Sequence, residues 1–243
     1  MGRDSSLARP SSLARMLGFS APRPLAGQLV LLTGASRGVG EALALALAAE
    51  GCDLCLCARN PADLTQVQAE CATVAAGRAQ PGRCITIVAD VRAQADCGRL
   101  VAQCRNVFGR APDVLVNNAA DTGCSGPFAQ VKPEEMTSML NANLGAPLML
   151  SRLLLPEMLQ RGSGTIVNIS SVCVPLISAR ASVPCADLNE LRAGPVCSCG
   201  FIALPGAATY CATKAALNSF TIALRAELKV RRRGAMPNVA CWR

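Results

Sequence analysis

Tyr210 and Lys214, in the run Tyr210-Cys211-Ala212-Thr213-Lys214, are the residues here best suited to moving a proton. Tyr210 is the only tyrosine of the chain and Lys214 is one of three lysines. The pattern over 207–229 predicts a helix, which puts the two side chains four residues apart on one face, where a phenol and an ammonium can act on one substrate. The ammonium favours the phenolate, and this makes the phenol usable as an acid and base. No histidine occurs, which excludes Ser-His-Asp and Cys-His catalysis and every histidine-ligated metal site. Proton transfer falls to Tyr, Lys, Cys or a carboxylate. The 14 cysteines are scattered, and several lie in apolar runs such as Cys52-Asp53-Leu54-Cys55-Leu56-Cys57. Cys52 and Cys55 form a C-x-x-C, but a metal site needs a second pair and a redox motif belongs at a helix start. The cysteines therefore read as small buried hydrophobes in a reducing compartment, and no metal site is predicted.

A second stretch with chemistry is Thr33-Gly34-Ala35-Ser36-Arg37-Gly38-Val39-Gly40, which leads from an apolar run over 29–33 into a helical pattern over 38–51. A strand-to-helix turn of this kind offers close backbone approach and free N–H groups to a pyrophosphate. Glycine is needed because a Cβ would block either the turn or the ligand. In dinucleotide folds an acid about 20 residues further on grips the ribose 2′-hydroxyl and selects NAD. That position is Ala58, followed by Arg59. With no carboxylate to repel it, a 2′-phosphate fits between Arg37 and Arg59, whose guanidinium groups suit phosphate geometry. The cofactor expected is NADP(H) in preference to NAD(H).

The elements that must position these groups alternate. Strand-like runs over 29–33, 53–58, 84–89, 113–117 and 165–169 are separated by helical patterns over 38–51, 62–76, 93–108 and 133–160. Such alternation implies right-handed crossovers and a parallel sheet covered on both faces, and the nearly unbroken apolar runs suit doubly covered strands.

In chain order stand the glycine turn, Asn117-Asn118-Ala119-Ala120, Asn143-Leu144-Gly145, Ile169-Ser170-Ser171 and Tyr210-x-x-x-Lys214. Together they resemble the short-chain dehydrogenase/reductase family, from about residue 28 to residue 229. The resemblance implies a Rossmann-like, doubly wound α/β fold. It also implies hydride transfer between nicotinamide and a small carbonyl or alcohol substrate, as in ketoreductases. In that family's terms Asn143 holds a relay water, Ser171 binds the substrate carbonyl, Tyr210 is the acid/base, and Lys214 completes the set and holds the nicotinamide ribose. The cofactor-binding positions so implied are Gly34, Ser36, Arg37, Gly38, Val39, Gly40 and Arg59, with Asp90 and Val91 at the adenine, Asn117 steadying the turn after the fourth strand, Ala119 beside it, and Tyr210 and Lys214.

Two stretches depart from the family. Removing residues 174–199 would join Cys173 to Gly200 and restore the family's spacing between Ser171 and Tyr210. Those 26 residues, rich in Ala, Cys, Pro and Ser, have no clear period, and read as a substrate lid or, more simply, a variant segment. Residues 231–243 read as an irregular basic tail in place of the family's last two strands and the substrate-binding segment between them. The sheet is then expected to end on its fifth strand, whose open edge would invite association. Two functions remain in view: an NADP(H)-dependent carbonyl reductase or alcohol dehydrogenase, and a truncated, catalytically impaired relative that binds cofactor or partner subunits. A third, a redox or metal protein built on the cysteines, is distinguished by metal content and thiol titration.

At 243 residues with 51% hydrophobic composition, the chain can bury one sizeable core. Its net charge of +8 is confined to the ends: residues 1–30 carry +3, residues 229–243 carry +5, and the rest balances to zero. With aromatics at only 3%, a basic groove with stacking platforms for nucleic acid is not expected. Residues 1–26 are rich in Ser and Arg and resemble an organelle transit peptide; Gly2 with Ser6 also fits a myristoylation pattern, and a plain flexible extension fits equally. No apolar run approaches a membrane span, so a soluble protein of the cytoplasm or an organellar matrix is expected, with one domain over 27–230. A family-type homo-oligomer would be weakened by the short end.

Overall fold

The structure is a computed structural model that describes residues 25–123, 126–171, 205–230 and 238–242; the 174–199 segment and nearly all of the N-terminal extension lie outside them. Five apolar runs form parallel strands: β1 (Leu29–Thr33), β2 (Asp53–Ala58), β3 (Cys84–Val88), β4 (Val114–Asn117) and β5 (Thr165–Ile169). A sixth, β6 (Asn238–Trp242), follows the last helix, and the sheet order is β3-β2-β1-β4-β5-β6. On β1, Leu31 stands opposite Cys55 on one side and Leu115 on the other. The sequence pattern leaves β5 as the edge and 231–243 as irregular. Instead Asn238 to Trp242 pair in parallel with Thr165 to Ile169. The unpaired N–H and C=O groups of β5 supply a template that a short segment of strand-favouring residues can take.

The helices are α1 (Gly38–Ala49), α2 (Pro61–Ala75), α3 (Gln94–Phe108), α4 (Pro133–Leu140), α5 (Ala146–Gln160) and α6 (Ala208–Val230). Alternate residues of each strand face opposite layers. Val30, Leu32, Leu54, Leu56 and Val116 pack with Leu43 and Leu47 of α1 and Leu64 and Val67 of α2. Leu29, Leu31, Cys55, Cys57, Leu115 and Ile166 pack with Leu100 and Cys104 of α3, Leu150 and Leu154 of α5, and Leu224 and Leu228 of α6. Each fully buried leucine contributes about 2 kcal/mol.

The buried cysteines belong to these layers. Cys97 and Cys104 of α3 join Cys55 and Cys57 of β2 in one core, and no described cysteine is in a disulfide. Burial pushes the Cys57 thiol up to about 12 and that of Cys97 to about 11. Thiols held neutral in this way are poor nucleophiles. Among the described residues no three Cys, Asp or Glu side chains group as metal ligands, and no helix is long and apolar enough to cross a membrane.

The pattern over 133–160 predicts one helix, but α4 and α5 are separated by a π-helical turn, Asn141–Gly145, with Asn143 at its centre. A single π turn inside a helix commonly marks a functional position, and it leaves no trace in a 3.6-residue period.

Candidate active site

The strand order reverses between β1 and β4, and this is where a doubly wound sheet opens a crevice beyond its strand ends. Thr33, the last residue of β1, sets the spacing there. Its Oγ1 donates to the Val116 carbonyl (3.3 Å) and accepts from the backbone N–H groups of Asn118 and Ala119 (both 3.1 Å). Asn118 Nδ2 donates to the carbonyls of Thr33 and Gly34, each at 3.0 Å. The glycines of the turn are needed for contact as well as conformation. Gly34 has φ +66, and a Cβ there would lie 2.7 Å from the Ala119 Cα; a Cβ at Gly40 would lie 2.0 Å from the Gly34 carbonyl oxygen. Neither position has room for any other residue.

The turn opens onto a cavity of about 490 Å³ lined by Gly34, Ser36, Arg37, Val39 and Gly40 from the turn and α1, Ala58, Arg59 and Asp63 beyond β2, Asp90, Val91 and Arg92 beyond β3, and Asn118 to Asp121 beyond β4. Nine of the sequence-predicted cofactor residues thus meet around one space. Arg37 immediately precedes α1, so the free N–H groups of that helix face the same cavity. Asn60 caps α2, its Oδ1 accepting from Ala62 N at 3.0 Å. Among the described residues Arg37 and Arg59 have no ion pair, in contrast to Arg92, whose guanidinium is spent on Asp90. A glycine cradle that a Cβ at Gly34 or Gly40 would fill, a helix N-terminus and two guanidinium groups form a donor set suited to the phosphates of a dinucleotide.

Asn117 lies outside this lining. It is buried, and its Nδ2 donates to Asn168 Oδ1 (2.8 Å), whose own Nδ2 donates to Thr221 Oγ1 of α6 (2.8 Å). The side chain that ties the end of β4 to the glycine turn is that of the neighbouring Asn118, which the sequence pattern did not single out. Arg92 and Asp121 were missed as well. Asp90 is held below the usual carboxylate range by hydrogen bonds from the Arg92 side chain, and Asp121 by the hydrogen bond from Ser138 and then by the Gly123 N–H and the charges of Arg92 and Arg59.

The catalytic candidates lie in the π-helical turn, just beyond β5 and near the start of α6; none of the four, nor Gly38, is among the residues that line the cavity. Asn143 is buried, and all of its amide is engaged: Oδ1 accepts from Asp121 N (2.7 Å), while Nδ2 donates to the Asp121 carbonyl (2.9 Å) and to Thr213 Oγ1 (3.2 Å). Thr213 Oγ1 donates to the Tyr210 carbonyl at 2.7 Å. Lys214 is also buried, with Nζ donating to the Ile169 carbonyl at 2.9 Å and lying 5.8 Å from the centroid of the Tyr210 ring. Ile169 ends β5 two residues before Ser171, which is half-buried, as is Tyr210. Lys214 therefore bonds the strand end that carries Ser171 while standing one helical turn from Tyr210. That is the face the i, i+4 spacing predicts.

A parallel sheet with this order, a glycine turn at its reversal and a helix presenting tyrosine and lysine one turn apart defines a dinucleotide-binding α/β protein. Residues 28–183 match the family model described as short chain dehydrogenase, and the chain belongs to that family. A ketoacyl reductase, HetN, from a Nostoc species is 43% identical over 148 residues, covering 61% of this chain and 49% of that protein. A 1,6-dihydroxycyclohexa-2,4-diene-1-carboxylate dehydrogenase from Pseudomonas putida is 34% identical over 146 residues, covering 60% of this chain and 51% of its own. The chain spans about half the length of these curated relatives. A metagenomic short-chain oxidoreductase solved in complex with NADP superimposes with a TM-score of 0.68 at 30% identity, over 86% of this chain and 79% of the other.

Proposed function

We propose that the protein is an NADP(H)-dependent oxidoreductase that transfers a hydride between nicotinamide and a carbonyl or alcohol substrate. The observation that carries the cofactor choice is the cavity wall beyond β2, where Ala58 stands at the position of a ribose-binding acid and Arg59 and Arg37 face the cavity without ion pairs among the described residues. Two guanidinium groups favour a phosphate ester over a hydroxyl at that point. The NADP complex of the metagenomic relative supports the same choice, and the names of the curated relatives support a ketoacyl or cyclic alcohol substrate class.

The residues divide the work. The turn over Gly34 to Gly40 and the N-terminus of α1 receive the pyrophosphate, and Asp90 and Val91 border the adenine. The cofactor, when bound, supplies or accepts the hydride. Tyr210 gives the proton to the carbonyl oxygen or takes it back from the alcohol, and Lys214 stands one helical turn away with Nζ on the Ile169 carbonyl. Ser171, at the end of β5, donates to the substrate oxygen from the other side. Asn143 acts by fixing the backbone of Asp121 and the hydroxyl of Thr213 on either side of that proton path.

Fluorescence titration with NADPH and NADH, followed by NADPH oxidation against a panel led by ketoacyl substrates, tests this. NADPH should bind at least about tenfold more tightly than NADH, the scale of one charge-assisted contact, and turnover should require Tyr210. Equal affinities would remove the NADP(H) assignment. The 26 residues over 174–199 favour a second outcome, cofactor binding without turnover, which the same panel separates from the first.

A further inference from the structure

The cavity has an adenine wall, at Asp90, and a catalytic wall, at Asp121, and a side-chain bridge joins them. The Arg92 guanidinium reaches Asp90 through Nε (2.9 and 3.0 Å) and Nη2 (2.5 Å), while its Nη1 donates to Ser138 Oγ at 2.9 Å. Ser138, on α4, donates in turn to Asp121 Oδ2 at 2.6 Å. We infer that Ser138 is a positioning residue that conveys occupancy of the adenine wall to the catalytic asparagine, through Arg92 on one side and Asp121 on the other. This rests on the cofactor assignment proposed above.

A carboxylate offers about four lone-pair sites. Arg92 brings three N–H groups to those of Asp90: its backbone N–H at 3.1 Å, Nε–H shared between both oxygens, and Nη2–H. An amino group of a purine that arrives beside Asp90 and Val91 competes with the Arg92 N–H groups for the same two oxygens, and the guanidinium shifts as it gives up its share of them. Its far end is held by a hydroxyl with one proton, and that proton is committed to Asp121. The hydroxyl thus accepts from one wall and donates to the other, an arrangement in which each bond polarises the next. Beyond Asp121 the path is main chain: its N–H and carbonyl are both held by Asn143, which reaches Thr213 and so the Tyr210 carbonyl. Ser138 itself does not line the cavity, so removing its hydroxyl takes away no cofactor contact.

Hydrogen–deuterium exchange on the full chain, with and without adenosine 2′,5′-bisphosphate, tests the inference with a probe that fills only the adenine end. In the wild type the probe should slow exchange at 57–60 and 89–92 and also at 139–145 and 210–214. Ser138→Ala should keep the first effect and lose the second by about tenfold, the scale of one hydrogen bond to a charged group, and Ser138→Thr, which keeps the hydroxyl, should restore it. Unchanged protection of 139–145 in Ser138→Ala overturns the inference. So does a wild type in which 89–92 are protected and 139–145 are not, a result that needs no variant to fold. A wild type with no protection at 57–60 or 89–92 would instead sink the cofactor assignment, and the inference with it.

Discussion

The two ends of the site are built by different physics. The nucleotide end is a matter of steric exclusion: backbone meets backbone at Gly34, Gly40 and Ala119, and the tolerance is smaller than one methyl group. The catalytic end is a matter of hydrogen bonding between segments far apart in the chain, Asn143 to Thr213 across 70 residues and Lys214 to Ile169 across 45. A steric site fails abruptly when a single atom is added. A hydrogen-bonded site loses function by degrees, because each bond contributes about 1 kcal/mol and its neighbours can adjust.

The contrast can be broken at three points. The largest effect is expected from Tyr210→Phe, which keeps the ring and removes the proton carrier. Turnover should fall by about 10²- to 10⁴-fold, the range for general acid–base groups, while NADPH affinity is retained. Loss of binding together with turnover would mean that the two ends are not separable. Next is Gly40→Ala, whose Cβ has no space beside the Gly34 carbonyl. It should cost about 3 kcal/mol of folding stability and abolish NADPH binding, read by urea unfolding and titration. A variant that melts and binds like the wild type would show that the turn is softer than its contacts imply.

The smallest effect concerns pH. Asp90 and Asp121 are both held below the ordinary carboxylate value. The stability they contribute is complete above about pH 4 and is lost as pH falls through their lower folded values. Asp121→Asn should therefore lower Tm by about 2 °C at neutral pH, with the difference closing in acid. A gap that persists unchanged to about pH 3 would assign the loss to packing and not to charge.

How much was legible in the sequence follows the same division. The glycine turn, Arg37 and Arg59 lie at fixed offsets from strand ends, so local spacing found them, while Asp90 and Val91 came from the family resemblance; Gly34, Gly40 and these four side chains line one cavity. Tyr210 and Lys214 were legible because a helix converts a spacing of four into one face. The bridge through Arg92, Ser138 and Asp121 was not, since it joins three separate segments and depends on side-chain reach that no period encodes. Asn118 was passed over for Asn117 because the two share a motif, and only the twist at the end of β4 decides which amide turns toward β1. The strand at 238–242 escaped for a further reason. Five residues after a basic stretch carry too little pattern, and what makes them a strand is the edge that β5 offers.

The cysteines placed in the core have one more consequence. Cys57 and Cys97, with their thiols pushed up to about 12 and about 11, carry almost no thiolate at neutral pH and lie out of reach of reagents. They become ordinary reactive thiols only when the layer between β2 and α3 parts. The folded chain therefore contains its own clock: the rate at which an alkylating agent adds mass to these two sulfurs measures how often that layer opens, with no label engineered into the chain and no substrate known.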